Sequence, residues 1–72
     1  MAQARQSLRT IRRLADESQT TIAERAGMDL NRYFRIEHGR GRTPSQEERE
    51  AVAWALKVPV KSIRFAHDEE EG

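Results

Sequence analysis

Arginine and asparagine side chains, which form paired hydrogen bonds with planar polar groups, cluster in the stretch 29–38. In a helix of about 100° per residue with Tyr33 facing inward, these side chains lie on the outer side and the flanks. Arginine can bind guanine and asparagine can bind adenine through two hydrogen bonds, and leucine can contact the thymine methyl group. The candidate base-reading residues are Leu30, Asn31, Arg32 and Arg35. A solvated polar helix face has the same composition, so this stretch alone supports both interpretations.

Other residues nearby are suited to bind phosphate. Gln19 stands at the start of a predicted helix, where free N–H groups and the helix dipole attract an anion. Arg40 and Arg42 follow on a glycine-containing loop that can lie close to a nucleic-acid backbone. His38, at the predicted helix end, is a weaker candidate whose simplest interpretation is an exposed end residue. Together with the base-reading face, these residues indicate double-stranded DNA as the partner.

Charge is unevenly distributed along the chain, although the formal net charge is only +1. Residues 1–43 contain nine arginines and five acidic residues, a balance of +4, whereas residues 44–72 have a balance of −3. The planar guanidinium of arginine binds phosphate and guanine in a fixed geometry. A charged surface is usually only a solvated one, but clustering in one half favours an anionic partner.

Composition and motifs indicate a protein without catalytic or metal chemistry. The 72 residues include no cysteine, which excludes disulfides, cysteine-bound zinc, iron–sulfur clusters and thiol catalysis. A chain of this length buries only about 60 % of its unfolded surface, so an enclosed catalytic cleft is hard to form. No phosphate-binding glycine loop, Ser-His-Asp spacing or HExxH motif is present. We expect no enzyme activity, no cofactor and no metal, and we interpret His67 and the acids after it as a tail.

Hydropathy gives no sign of a membrane segment. No apolar stretch approaches the ~20 residues that span a bilayer, and the N-terminus lacks the apolar core of a signal peptide. We therefore expect a cytoplasmic protein with no membrane partner.

Apolar residues recur at helical spacing, which predicts an all-α fold, a compact bundle of about five short helices. The first helix places Leu8, Ile11, Leu14 and Ala15 on one inward stripe. Further helices are predicted at Gln19–Ala26 after the N-cap Ser18, from the N-cap Asp29 to His38, from the capping box of Ser45 and Glu48 to about Lys57, and from Val60 to about Ala66.

The second and third predicted helices form a close pair. Gly27 provides the left-handed residue that ends the second helix, and Gly39 ends the third. Two short helices joined by a tight turn are typical of a helix-turn-helix. The sequence thus divides into an N-terminal arm at 1–7, a helix-turn-helix domain at 8–66 and an acidic disordered tail at 67–72.

Glu37 falls on the inner side of the third predicted helix, where an unpaired carboxylate is costly. Arg12, at the border of the apolar stripe of the first helix, is its natural partner. We predict an Arg12–Glu37 ion pair that orients the third helix, a role independent of any net stability it adds.

The ordered set of motifs closely resembles the lambda-repressor-like (Cro/CI, Xre) helix-turn-helix family. The matching segments are Ile11-Arg12, Ser18-Gln19-Thr20-Thr21-Ile22-Ala23-Glu24-Arg25-Ala26-Gly27, Arg35-Ile36-Glu37-His38-Gly39, Pro44-Ser45 and Ala53-Trp54-Ala55-Leu56-Lys57-Val58. The resemblance covers residues 8–65. It implies five helices that bind operator DNA, usually as a symmetric dimer, with the third helix in the major groove. By position it also implies that Gln19 contacts phosphate and braces the third helix, and that Arg12 and Glu37 form an internal ion pair.

Several residues depart from the family pattern. Asp16-Glu17 replaces the usual Gly-Leu, and Arg49 stands where an apolar residue is usual, which requires its stem to lie along the apolar surface. Phe34 and Trp54 occupy exposed positions that are usually polar. The predicted dimer interface consists of Trp54, Val58, Pro59 and Ile63. The alternative is that Trp54 folds over its own helix.

Two functions follow from these residues and the resemblance. The first is a dimeric transcriptional regulator, a repressor of phage, mobile-element or toxin–antitoxin type, encoded by a bacterium or a phage and acting by operator occupancy. The second is a protein-interaction module on the same scaffold, an antitoxin or anti-repressor that binds a protein partner.

Overall fold

The computed structural model describes residues 5–68, which contain four α-helices and one short pair of parallel strands. The helices are α1 (Leu8–Leu14), α2 (Gln19–Ala26), α3 (Leu30–His38) and α4 (Gln46–Leu56), and the strands are β1 (Gln6–Ser7) and β2 (Ile63–Arg64). Turns of 3₁₀ helix cover Val60–Ser62 and Ala66–Asp68. The described part is mostly helical, with four α-helices in place of the five that the sequence predicts.

Local capping sets where three of the helices begin. The hydroxyl groups of Ser7, Ser18 and Ser45 accept hydrogen bonds from backbone N–H groups in the first turns of α1, α2 and α4. Glu48 completes the capping box of α4 by accepting from the backbone N–H of Ser45. The side chain of Asp29 makes no capping hydrogen bond with α3. The start of α3 therefore depends more on packing than on its cap.

The centre of the core lies between α2, α3 and α4, and side chains from α1 and from residues 63–65 complete it. Its largest fully buried side chains are Ile22 from α2, Tyr33 and Ile36 from α3, and Val52 from α4. Helix α2 packs against both α3 and α4. Because Tyr33 and Ile36 fix one side of α3 against the core, the opposite side faces solvent.

A three-residue connection places α3 after α2. Gly27 has the left-handed conformation predicted for it, with φ 70°, and Gly39 ends α3 in the same way with φ 71°. A Cβ on Gly39 would lie 2.8 Å from the Cβ of Ala66, so a side chain there would collide with the second 3₁₀ turn. The end of α3 is thus held closely against the segment that follows β2.

The prediction of a fifth helix from Val60 to about Ala66 is wrong, because this segment forms a 3₁₀ turn followed by a short strand. The prediction of an all-α fold is therefore also wrong in this part of the chain. After the first 3₁₀ turn the chain extends, with Ile63 and Phe65 buried and Arg64 exposed. Strand β2 pairs in parallel with β1, and Gln6 lies opposite Ile63. An extended segment alternates its side chains between two faces, and this pairing satisfies backbone groups that a helix would satisfy locally.

The apolar stripe predicted for α1 is buried only in its first part. Leu8 and Ile11 enter the core, whereas Leu14 is 73 % exposed and Ala15 is also exposed. Helix α1 ends at Leu14, and the chain turns at Asp16 with φ 60°. The stripe therefore stops one turn short of its predicted length.

Residues 1–4 of the predicted arm and 69–72 of the predicted acidic tail lie outside the described residues. The remaining arm residues include β1, and His67 and Asp68 lie in the second 3₁₀ turn. Between residues 5 and 68, no helix has the length and apolar character needed to cross a membrane.

Candidate nucleic-acid interface

The outer side of α3 carries most of the predicted base-reading residues. Asn31 and Arg35 are exposed there, and Leu30 and Phe34 leave about half of their surface to solvent. The rings of Phe34 and His38 lie 4.2 Å apart at 37°, so these two side chains support each other along the helix. The outer side thus combines the hydrogen-bonding groups of Asn31 and Arg35 with an apolar strip formed by Leu30 and Phe34.

Arg32 occupies a different position from the other candidates. Its Nε and Nη2 atoms donate to the Glu48 carboxylate at 3.0 and 2.9 Å, and its Nη1 and Nη2 atoms donate to the Arg42 carbonyl at 3.2 and 3.3 Å. Its side chain is only 15 % exposed, and the hydrogen bond with Glu48 raises its pKa. Arg32 lies on the flank of α3, as predicted, but it faces the N-terminus of α4. It joins α3 to that helix instead of extending into solvent.

Glu48 is the residue that sequence reasoning missed at this site, because it was assigned only to the capping box. Its carboxylate accepts hydrogen bonds from Arg32, from both Nη atoms of Arg42 at 3.2 Å and from the Ser45 N–H at 2.9 Å. The hydrogen bonds from Arg32 are the main cause that lowers its pKa to about 2. The signal that could have found it is a carboxylate at N3 of a helix that follows an arginine-rich loop.

The ion pair expected between Arg12 and Glu37 is present. Arg12 donates through Nε to Oε2 at 2.8 Å and through Nη2 to Oε1 at 3.2 Å. Gln19 donates to the same carboxylate at 2.8 Å and Tyr33 at 2.9 Å. Burial alone would raise the pKa of Glu37, but these hydrogen bonds together outweigh it and hold the pKa below its ordinary value. Glu37 thereby links α1, α2 and α3 through one buried carboxylate.

Gln19 and Tyr33 both donate hydrogen bonds to the Glu37 carboxylate, and this contact defines what each side chain does. The Gln19 amide is turned toward Glu37 and so braces α3, as the resemblance implies, while the first turn of α2 stays at the surface. Burial and the neighbouring Glu37 raise the pKa of Tyr33, so its hydroxyl stays protonated and donates.

The loop after α3 is held in place by its backbone. The Nε2 atom of His67 lies 2.9 Å from the Arg40 carbonyl and 3.3 Å from the Gly41 carbonyl, and because carbonyls only accept, Nε2 carries the proton. The Arg40 N–H donates to the Arg35 carbonyl at 2.8 Å. A Cβ on Gly41 would lie 3.5 Å from Cδ of Arg35, so the loop runs directly beside the arginine stem. The loop backbone between Arg40 and Arg42 therefore runs beside the stem of Arg35, and the Arg42 side chain reaches back to Glu48.

A second surface surrounds Trp54, which is 70 % exposed. An open cavity of about 650 Å³ beside it is lined by Arg25, Ala53, Trp54, Ala55, Lys57, Val58 and Pro59. Ile63, predicted to belong to the same interface, is instead buried in the core because β2 turns it inward. The available part of the predicted interface is Trp54, Val58 and Pro59.

Arg49 stands at a position of α4 that is usually apolar, and its long side chain packs against Phe65 while its charged end reaches Asp68. Its guanidinium lies 4.8 Å from the centre of the Phe65 ring and donates to Asp68 at 2.6 and 3.0 Å. Its Nε donates to the Pro44 carbonyl at 3.2 Å. The hydrogen bonds from Arg49 lower the pKa of Asp68. This residue joins α4 to the segment that follows β2.

Within residues 5–68, no three His, Cys, Asp or Glu residues are grouped so that they could hold a metal ion. Asn31 and Arg35 are exposed on the outer side of α3, and the loop that carries Arg40 and Arg42 runs beside Arg35. Gln19 and Arg32 make supporting contacts with Glu37 and Glu48. The comparisons with known proteins found no match among family models, curated proteins or solved structures.

Proposed function

We propose that this chain binds specific sequences in double-stranded DNA as a transcriptional regulator of the lambda-repressor-like helix-turn-helix type. The observation that carries the proposal is the division of α3 into two sides. Tyr33 and Ile36 are buried on one side, while Asn31 and Arg35 are exposed on the other. A helix fixed in this way offers base-binding side chains on a rigid support.

The dimensions of α3 agree with this proposal. An α-helix with its side chains is about 10–12 Å across, and the major groove is about 12 Å wide and admits one such helix. In this proposal Asn31 and Arg35 contact base edges, and the apolar strip of Leu30 and Phe34 contacts thymine methyl groups. Arg32 belongs to the support of the helix.

Phosphate contacts surround that helix. Arg40 and Arg42 lie on the loop that runs beside Arg35, and the first turn of α2 offers free backbone N–H groups. Such contacts set the register of the protein on the duplex, while base contacts supply specificity. The proposed regulator acts sterically, by occupying an operator that overlaps a promoter.

The proposed dimer uses the exposed surface of Trp54, Val58 and Pro59. Two identical surfaces related by a twofold axis would place two copies of α3 on successive half-sites of a symmetric operator. Sedimentation of wild type and Trp54→Lys tests this contact. A monomeric wild type at the concentrations that bind DNA would remove the dimer from the proposal.

The decisive experiment is a selection of bound sites from a random duplex library, followed by titration of the selected site. We expect Arg35→Ala to lose about 1–3 kcal/mol of discrimination at one base pair, and Arg42→Ala to weaken all sequences alike. Lys61→Ala, which removes one exposed charge outside α3 and its loop, is the control. Equal losses on every sequence for Arg35→Ala and Arg42→Ala would contradict base reading by Arg35.

The second candidate function is a protein-interaction module, and the exposure of Trp54 favours it. A large exposed aromatic residue beside a cavity is typical of a protein interface. Titration of random duplex DNA at low and moderate salt separates the candidates. Absence of binding at both salt concentrations would favour the protein partner.

A further inference from the structure

The Glu48 carboxylate occupies an anion site made by the protein itself. Two guanidinium groups, from Arg32 and Arg42, and the backbone N–H of Ser45 converge on its two oxygens at 2.9–3.2 Å. Guanidinium groups and N–H groups at a helix start are also the donors that bind phosphate. A DNA phosphate arriving at this loop would therefore compete with Glu48 for the same donors.

The two arginines differ in how easily they could leave Glu48. Arg32 is 15 % exposed and also binds the Arg42 carbonyl, so it is held by two acceptors. Arg42 has a side chain that is 66 % exposed, and both of its hydrogen bonds to Glu48 are 3.2 Å long. Exposed ion pairs of this kind are weak, because water and salt screen them. Arg42 is the donor that can be exchanged.

We propose that Glu48 is a positioning residue that competes with DNA phosphate for Arg42 and so limits the sequence-independent part of DNA binding. This inference rests on the proposed function. Glu48 remains ionised at physiological pH because its pKa lies at about 2, so the competition does not depend on pH in that range. Arg32 stays with Glu48 and keeps α3 in place while Arg42 changes partner.

The test compares Glu48→Gln with Glu47→Gln. Glu47 is exposed in the same first turn of α4, so its substitution removes the same charge without touching Arg42. Binding of a random duplex is measured by fluorescence anisotropy over a series of salt concentrations. We expect Glu48→Gln to tighten binding about two- to fivefold relative to Glu47→Gln, with a log–log salt slope steeper by up to about 0.9.

Repeating both substitutions in an Arg42→Ala background shows whether Glu48 acts through Arg42. There we expect the two glutamine variants to bind alike. A purely structural role for Glu48 predicts the opposite sign, since losing its ion pair with Arg32 would loosen α3 and weaken DNA binding. Weaker or unchanged binding by Glu48→Gln, or tighter binding that persists without Arg42, overturns the inference.

A measurement on the wild-type chain does not depend on how well a variant folds. In NMR spectra of the arginine side chains, adding DNA should shift the guanidinium resonances of Arg42, whose Nη groups bind Glu48, more than those of Arg32. An unshifted Arg42 resonance in a chain that binds DNA overturns the inference alone. A wild type that binds no duplex overturns the proposed function, and the inference with it.

Discussion

Two carboxylates hold α3, and they do so in opposite surroundings. Glu37 is 1 % exposed and accepts four hydrogen bonds from α1, α2 and α3. Glu48 is 18 % exposed and accepts five from α3, the loop and the α4 cap. The number of hydrogen bonds is similar, so the difference lies in access to water.

Because of that difference, the contacts of Glu37 are fixed, whereas one contact of Glu48 can be exchanged for a contact with a ligand. The Glu37 carboxylate is almost fully buried, so a ligand cannot replace it without opening the core. Around Glu48 one donor, Arg42, is mostly in solvent, and another anion can reach it. Glu37, the inner carboxylate, therefore acts on the stability of the fold alone. Glu48, the outer carboxylate, acts both on stability and on the binding of an anionic ligand.

The largest effect is expected from Arg12→Met, which leaves Glu37 buried without its cationic partner. Such substitutions cost about 3–5 kcal/mol, a large part of the stability of a domain this small. Urea unfolding followed by the helical signal in circular dichroism measures it. Arg13→Met, at the exposed neighbouring position in α1, is the control and should change the free energy of unfolding by less than about 0.5 kcal/mol. Equal losses for both variants would refute the special role of the pair.

Glu48→Gln is expected to lower the free energy of unfolding by less than Arg12→Met does. The variant loses its ionic contacts with Arg32 and Arg42 but keeps an oxygen that can accept from Ser45. Partly exposed ion pairs contribute little, so the expected cost is about 1 kcal/mol. Chemical unfolding beside Glu47→Gln measures it. A loss as large as that of Arg12→Met would remove the contrast between the two carboxylates.

Acid should weaken the fold through both carboxylates. Their folded-state pKa values lie below the ordinary value of 4.5. The stability they provide is therefore complete above about pH 4.5 and declines as the pH falls through the folded-state values. For Glu48 this interval extends to about pH 2. In Glu48→Gln the decline should be shallower by up to about one proton, which unfolding measured at several pH values detects; an unchanged slope would contradict it.

The smallest effect on stability is expected from Arg42→Ala. Its side chain is mostly exposed, so the free energy of unfolding should change by less than about 0.5 kcal/mol. Its loss in DNA binding should be far larger than this change. An Arg42→Ala variant that is strongly destabilised but binds DNA normally would contradict the role proposed for the pair of Arg42 and Glu48.

Local chemistry made the middle of the chain predictable. Ser18 and Gly27 delimit α2 by a cap and a left-handed residue, and Gly39 ends α3, all within a few residues of the groups they satisfy. The Arg12–Glu37 pair was predictable because an inward carboxylate requires a cation and few positions can provide one. These inferences need only helical spacing and the cost of an unpaired charge.

Contacts between distant residues were not predictable in the same way. The pairing of Gln6 with Ile63 joins two segments of two residues, too short for alternation to be recognised. Arg32 was placed correctly on the flank of α3, but spacing does not reveal that Glu48, sixteen residues later, faces it. Base reading and dimerisation remain predictions, since they depend on partners outside the chain.

The parallel pairing of β1 with β2 has a consequence for the order of folding. During synthesis, Gln6 leaves the ribosome long before Ile63, yet each needs the other for its strand. Helices α2 and α3 are built from residues close together in the chain, whereas β1 cannot pair until Ile63 has emerged. The strand pair is therefore completed late in synthesis, and a chain cut short before Ile63 would leave β1 unpaired.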